Sequence, residues 1–192
     1  MTYTIELGDK APRFENLLST DGSFYSIDEF NNKPLKVIFF TCNHCPYVTG
    51  SDELTRAVAE DFINEAEFIA INSNSRNTYE EDSYENMILR MEKFNFPWVY
   101  LHDETQKTAQ AYGALKTPHF FVFDDSWKLI YTGRNTDNPK DTDLRTTEDL
   151  IWVFIIGFPF LAEDEIFERQ NLFLYFLCLL AAPHLNCRHF YH

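Results

Sequence analysis

Apolar residues gather in short dense runs divided by longer polar stretches, a pattern that predicts strands alternating with helices. Leu35 to Phe40 is apolar except for Lys36, which predicts a central strand covered on both faces. From about Asp52 to Glu65, Leu54, Val58, Phe62 and Ile63 recur at helical spacing. Phe68 to Ile71 predicts a second buried strand, closed by the polar Asn72-Ser73-Asn74-Ser75. Asp82 and Glu85 have the spacing of a capping box. The helix they open runs to about Phe94, with Met87, Ile88 and Met91 forming a core-facing stripe. Trp98 to Leu101 is a third strand, and Asp103 and Gln106 cap a short helix that stops near Gly113. Phe120 to Phe123 and Leu129 to Tyr131 pair as a hairpin. Upstream, Asp21-Gly22 between Leu17-Leu18 and Phe24-Tyr25 predicts another hairpin, and Gly8 to Phe14 is extended because Ala11 precedes Pro12. The expected architecture is α/β, a mostly parallel sheet with an antiparallel hairpin at its edge and helices flanking it.

The pattern changes after Asn135. A polar loop to Arg145 leads to Thr146-Thr147-Glu148, a helix start, and then to two apolar runs, Ile151–Ile156 and Leu172–Ala182, around the charged stretch Ala162–Asn171. Each run is too short to cross a bilayer. A helix apolar all round must be covered on every side, so the chain divides into a domain over 1–150 and an apolar helical extension over 151–192. That extension is expected to pack on the domain or on a partner, with a second copy of the chain as the preferred cover. The length suits a single core. A net charge of −14 argues against nucleic acid and anionic membrane surfaces as partners. The start of the chain has neither a basic nor an apolar leader segment, which predicts a cytoplasmic, reducing location. Four cysteines in 192 residues do not make a disulfide scaffold.

The chemistry is expected at Cys42-Asn43-His44-Cys45, where a buried strand meets a helix. A cysteine at a helix N-terminus faces unpaired N–H groups and the positive end of the dipole, and both favour the thiolate nucleophile. In a reducing compartment a C-x-x-C is therefore redox-active. A zinc site would need two more ligands. Cys178 and Cys187 are distant, and the only closely spaced histidines lie in the terminal tail, where His189 and His192 follow Cys187 as an incidental weak site. No metal or cofactor is expected. The bland alternative is a pair of buried, inert thiols.

Taken together, Gly8-Asp9-Lys10-Ala11-Pro12-x-Phe14, the Asp21-Gly22 turn, Cys42-Asn43-His44-Cys45-Pro46-Tyr47-Val48, Asn72-Ser73-Asn74, Glu81-Asp82-Ser83 and Thr117-Pro118-His119-Phe120-Phe121 resemble the peroxiredoxin-like, redoxin-domain branch of the thioredoxin superfamily. The resemblance covers residues 5 to about 150. It implies a thioredoxin-like fold, a mixed sheet flanked by helices, with Pro118 in the cis form and Thr117-Pro118 presenting backbone to substrate. It leaves two assignments of the nucleophile. In a thioredoxin-like site Cys42 is the exposed nucleophile and Cys45 resolves. In a peroxiredoxin-like site Cys45-Pro46 is the peroxidatic pair. Pro46 favours the second, since proline is best tolerated at the first helical position, which makes Cys45 the N-cap.

The sequence departs from both parents: Lys36 stands where thioredoxins keep an acid, and Ile38 where peroxiredoxins keep a proline. His44 resembles the histidine that stabilises the thiolate in strongly oxidising relatives. Arg134 is placed like the peroxiredoxin arginine, and Cys187 echoes a remote resolving cysteine. The implied activity is thiol–disulfide exchange through Cys42 and Cys45, on a thiol or disulfide protein or a peroxide, with a thioredoxin- or glutathione-type reductant. The alternatives are a thiol peroxidase using Cys45 and a redox-inactive binding module.

Overall fold

The structure, a computed structural model, describes residues 4–157. The apolar runs form the middle of a seven-stranded sheet. In chain order the strands are β1 (Leu17–Ser19), β2 (Phe24–Tyr25), β3 (Leu35–Thr41), β4 (Ala66–Asn72), β5 (Val99–His102), β6 (His119–Phe123) and β7 (Leu129–Gly133). The helices are α1 (Pro46–Thr49), α2 (Asp52–Asp61), α3 (Tyr84–Phe94), α4 (Lys107–Tyr112) and α5 (Asp149–Trp152). Across the sheet the order is β2-β1-β5-β4-β3-β6-β7.

Every residue of β3 is buried, as its continuous apolar run predicts. Its two faces go to different places. Ile38 and Phe40 join a core with Ile69, Ile71, Tyr112, Phe121 and Phe123. Phe39 points the other way, stacking on Phe120 at 5.1 Å and meeting Trp98 edge-on at 5.3 Å. With apolar contacts above and below, no position of β3 is left for solvent. Lys36 is buried as well. It reaches out of the core to donate from Nζ to the Asp125 carbonyl at 3.2 Å, and desolvation lowers its pKa.

Three expectations need correction. The sheet is mixed, as the resemblance implies, rather than mostly parallel, as the periodicity alone suggests. Only β3/β4 and β4/β5 run parallel, while β1/β2, β1/β5, β3/β6 and β6/β7 are antiparallel. Run length and periodicity report that a strand exists, not which way it points. Helix α2 stops at Asp61, and Ile63 is exposed. The N–H groups of Glu65 and Ala66 bond back to the Phe62 carbonyl, turning the chain straight into β4. The third correction is the start of α3. Its N-cap is Ser83, whose side chain accepts from the Asn86 N–H at 3.3 Å, so the Asp82/Glu85 box does not form and Asp82 is released for another use.

The hairpin at Asp21-Gly22 forms as predicted, with Leu17 opposite Tyr25. The sheet and its helices make one compact unit that ends at Leu150, and a second begins at Ile151. Of that second unit the structure describes only the end of α5 and a π-turn over Val153–Gly157. The run Leu172–Ala182, Cys178, Cys187, His189 and His192 lie outside the described residues. Among the described residues no helix is long and apolar enough to cross a membrane.

The central packing generates a stability test. Phe121 is fully buried and meets Phe40 and Tyr112 edge-on. Phe121→Ala is expected to cost about 3–5 kcal/mol, read as a shift in the urea unfolding midpoint. A loss below about 1 kcal/mol would place the core elsewhere.

Candidate functional site

The pairing of β3 with β6 builds the site. Phe40 lies opposite His119, so the residue after β3 and the residues before β6 meet at the same end of the sheet. Cys42 follows β3 directly and is fully buried. Its Sγ lies 3.2 Å from Thr117 Oγ1. The Thr117–Pro118 peptide bond is cis, as the resemblance implies. Cys45 is the N-cap of α1, with Pro46 in the first helical position. Its thiol, half-buried, donates to the Thr117 carbonyl at 3.7 Å. Thr117 therefore touches both sulfurs, one through its side chain and one through its backbone.

The two thiols are unequal. Burial pushes Cys42 up to about 11, against the smaller lowering influence of its bonds with Thr117 and the Cys45 backbone. Of the two assignments left open, this burial favours Cys45 over Cys42 as the accessible thiol. Cys42 directly follows the core strand and is buried with it, and desolvation opposes its thiolate. Cys45 is the accessible sulfur, at the place Pro46 predicted.

Asp82 is the residue the sequence reading missed. It sits in a 3-10 turn (Glu80–Asp82) and is fully buried. Its Oδ1 accepts the Asn43 N–H at 2.6 Å and Asn72 Nδ2 at 3.3 Å. Its Oδ2 meets His44 Nδ1 at 2.6 Å and accepts Asn74 Nδ2 at 3.2 Å. The signal that could have pointed to it is the pair Asn72 and Asn74, two amides at the end of a buried strand with no use in a loop. His44 is held on its other side by Tyr79, stacked at 3.6 Å between ring centroids and 10° between planes. Asn43 is anchored in turn by the buried Tyr100, whose hydroxyl donates to Asn43 Oδ1 at 2.9 Å. Each residue of the tripeptide between strand and Cys45 thus has a partner of its own.

Donor atoms of Cys42, His44 and Asp82 lie within 4.8 Å of one another. A carboxylate and an imidazole therefore stand beside the buried thiol, although Lys36 occupies the sequence position where an acid was sought. A groove of about 700 Å³ opens next to them, lined by His44, Tyr79, Gln106, Leu115, Lys116 and Thr117. Leu115 is 76% exposed in its wall. Arg134 does not join this group. Its Nε, just past the end of β7, donates to Asp149 Oδ2 at 2.8 Å, which gives the guanidinium an ion-pair partner outside the groove lining.

Comparison with known proteins agrees with this architecture. The family model described as Redoxin matches residues 6–151. No curated protein matches the chain. An uncharacterized conserved protein from Geobacillus kaustophilus is 35% identical, with a TM-score of 0.73, over 83% of this chain and 86% of its own. A hypothetical protein from Sinorhizobium meliloti is 28% identical, with a TM-score of 0.76, over 85% and 91%. The peroxidoxin BcpB of Mycobacterium tuberculosis is 18% identical, with a TM-score of 0.57, over 68% and 86%, a likeness of fold. The fold is thioredoxin-like.

The difference in burial has a direct readout. Iodoacetamide at neutral pH is expected to modify Cys45 well before Cys42. Cys42 should become reactive only as pH rises toward about 11, because below that value its buried thiol keeps its proton. Peptide mass mapping of a pH series checks this. Labelling of Cys42 first would overturn the assignment.

Proposed function

Because the chain belongs to the Redoxin family, we propose that it is a thiol–disulfide oxidoreductase in which Cys45 attacks and Cys42 resolves. The observation that carries this reading is the meeting of one accessible and one buried thiol on Thr117, beside the cis Pro118. The Cys45 thiolate attacks one sulfur of a substrate disulfide. The substrate S–S bond breaks, a protein–substrate disulfide forms, and the first substrate thiolate leaves and takes a proton from water. Cys42 then loses its proton to the adjacent His44–Asp82 pair and attacks Cys45 Sγ. The second substrate thiol is released and Cys42–Cys45 closes. Two electrons have passed from the protein to the substrate. One thioredoxin-type dithiol, or two glutathione-type thiols, reverses the step and restores both thiols.

The proton transfer matters because Cys42 is the thiol that burial disfavours as an anion. The His44–Asp82 pair supplies the acceptor that Lys36 cannot. Thr117, just before the cis Pro118, lines the groove where an extended substrate would lie, and its accessible walls suit a peptide disulfide. A second reading has its own support. Cys45 directly before Pro46 at a helix start also suits attack on a peroxide. There the O–O bond breaks, one oxygen leaves as water, and Cys45 becomes a sulfenate. Attack by Cys42 then expels the second oxygen as water and forms the same disulfide.

The test uses reduced full-length protein with a peptide disulfide or hydrogen peroxide. Oxidation is expected to link Cys42 to Cys45 by mass mapping, Cys45→Ser to abolish turnover, and Cys42→Ser to trap the peptide as a mixed disulfide on Cys45. Asp82→Asn is expected to slow the resolving step about 100-fold, within the range of general-base contributions, while leaving the first attack nearly intact. Faster turnover with peroxide than with the peptide selects the peroxidase reading. Links confined to Cys178 or Cys187 would sink both.

A further inference from the structure

The group around Asp82 has a second chemical capacity. Cys42, His44 and Asp82 offer a sulfur, a ring nitrogen and a carboxylate oxygen, all within 4.8 Å of one another. This donor set suits zinc, which takes thiolate at about 2.3 Å and imidazole or carboxylate at about 2.0–2.2 Å. It brings together ligands the sequence cannot pair, since Asp82 is forty residues beyond Cys42 and comes from a different loop. We propose that the reduced protein binds one borderline divalent cation, of which Zn²⁺ is the type, through Cys42 Sγ, a ring nitrogen of His44 and the Asp82 carboxylate.

Two features favour the ion, and a third sets the movement its binding requires. The first is charge. A divalent cation with one thiolate, one carboxylate and a neutral imidazole sums to zero, so the buried site carries no net charge in the bound state. The second is the support behind the carboxylate. Asn72, Asn74 and the Asn43 N–H hold both of its oxygens, and such outer contacts orient ligands and sustain affinity. The third is the contact between His44 Nδ1 and Asp82 Oδ2 at 2.6 Å. Two donors about 2.1 Å from a tetrahedral ion stand about 3.4 Å apart, so the pair must part by somewhat less than 1 Å for the ion to replace the shared proton. His44 lies in a turn, and its ring is 21% exposed, so it is the side that gives. The fourth position remains for Cys45 or a water.

Binding displaces the Cys42 thiol proton and whichever proton lies between His44 and Asp82. No electron is transferred. The site is distinct in function from the redox cycle, and ion binding does not depend on that cycle being correct. If it is correct, a disulfide at Cys42 removes the sulfur ligand, so oxidation and metal binding exclude each other.

Cobalt(II) tests the proposal, because a thiolate ligand gives it a charge-transfer band and a tetrahedral field gives intense visible bands. Titration of reduced full-length protein under anaerobic conditions is expected to saturate at one Co²⁺, which Zn²⁺ then displaces. Cys42→Ser should abolish the charge-transfer band. Outer partners of a metal site are typically worth 10–100-fold in affinity, so loss of a ligand in His44→Ala or Asp82→Asn should weaken binding at least about tenfold. Far-UV circular dichroism checks each variant. His44→Ala, at a partly exposed position, serves if Asp82→Asn fails to fold. The Cys178→Ser/Cys187→Ser double variant should bind as the parent does. The proposal is overturned by the absence of a band in the parent, by a band that survives Cys42→Ser, by unchanged affinity in His44→Ala, or by loss of binding in the double variant.

Discussion

The site hangs on one buried carboxylate. A charged group with no exposure to solvent persists only where neighbours satisfy its lone pairs. Asp82 meets that condition with donors from two loops: Asn43 and His44 after β3, and Asn72 and Asn74 at the end of β4. It comes itself from the turn before α3. One side chain therefore gathers three segments that are unrelated in sequence. The arrangement of His44 is a consequence of this, and so is the path of the backbone from Cys42 to Cys45.

The other constraint is the register of β3 against β6. Because Phe40 sits opposite His119, Thr117 arrives where both sulfurs can reach it. The same register stacks Phe39 on Phe120. Packing of the core and placement of the reactive group are thus one event. A slip of a single residue would turn the side chains of β6 to the opposite faces and move Thr117 away from the thiols together. Unequal burial of the two cysteines follows from the same geometry, since one ends the core strand and the other opens a surface helix.

Much of this was legible in the chain. The runs at Leu35 and Phe68, the Asp21-Gly22 turn and the 120–131 hairpin all appear as strands or turns, because local periodicity and turn chemistry act over a few residues. Pro46 correctly placed Cys45 at a helix cap for the same reason. Strand direction was not legible, because it depends on how connections cross the sheet. Nor was Asp82. Its spacing to Glu85 fits a cap, and a local pattern outweighed a role that exists only once two distant loops close over it. The choice between Cys42 and Cys45 stayed open for a related reason: the sequence shows where a strand ends but not how much protein lies above the residue that follows it.

Gly50 adds a further consequence. It separates α1 from α2 in an ordinary right-handed conformation, so backbone freedom does not require a glycine there. Close approach does, because a Cβ at this position would run into the Pro139 carbonyl. The same polar loop reaches α1 and α2 elsewhere. Lys140 lies over the Tyr47 ring at 4.1 Å, and the Asn135 amide donates to Thr55 Oγ1 at 2.9 Å. A stretch with no reactive group of its own is thereby wedged under the single helical turn that carries Cys45. Sequence drift in that wedge would shift the turn that holds Cys45 from outside the site, so related chains with identical cysteine motifs need not present that thiol alike.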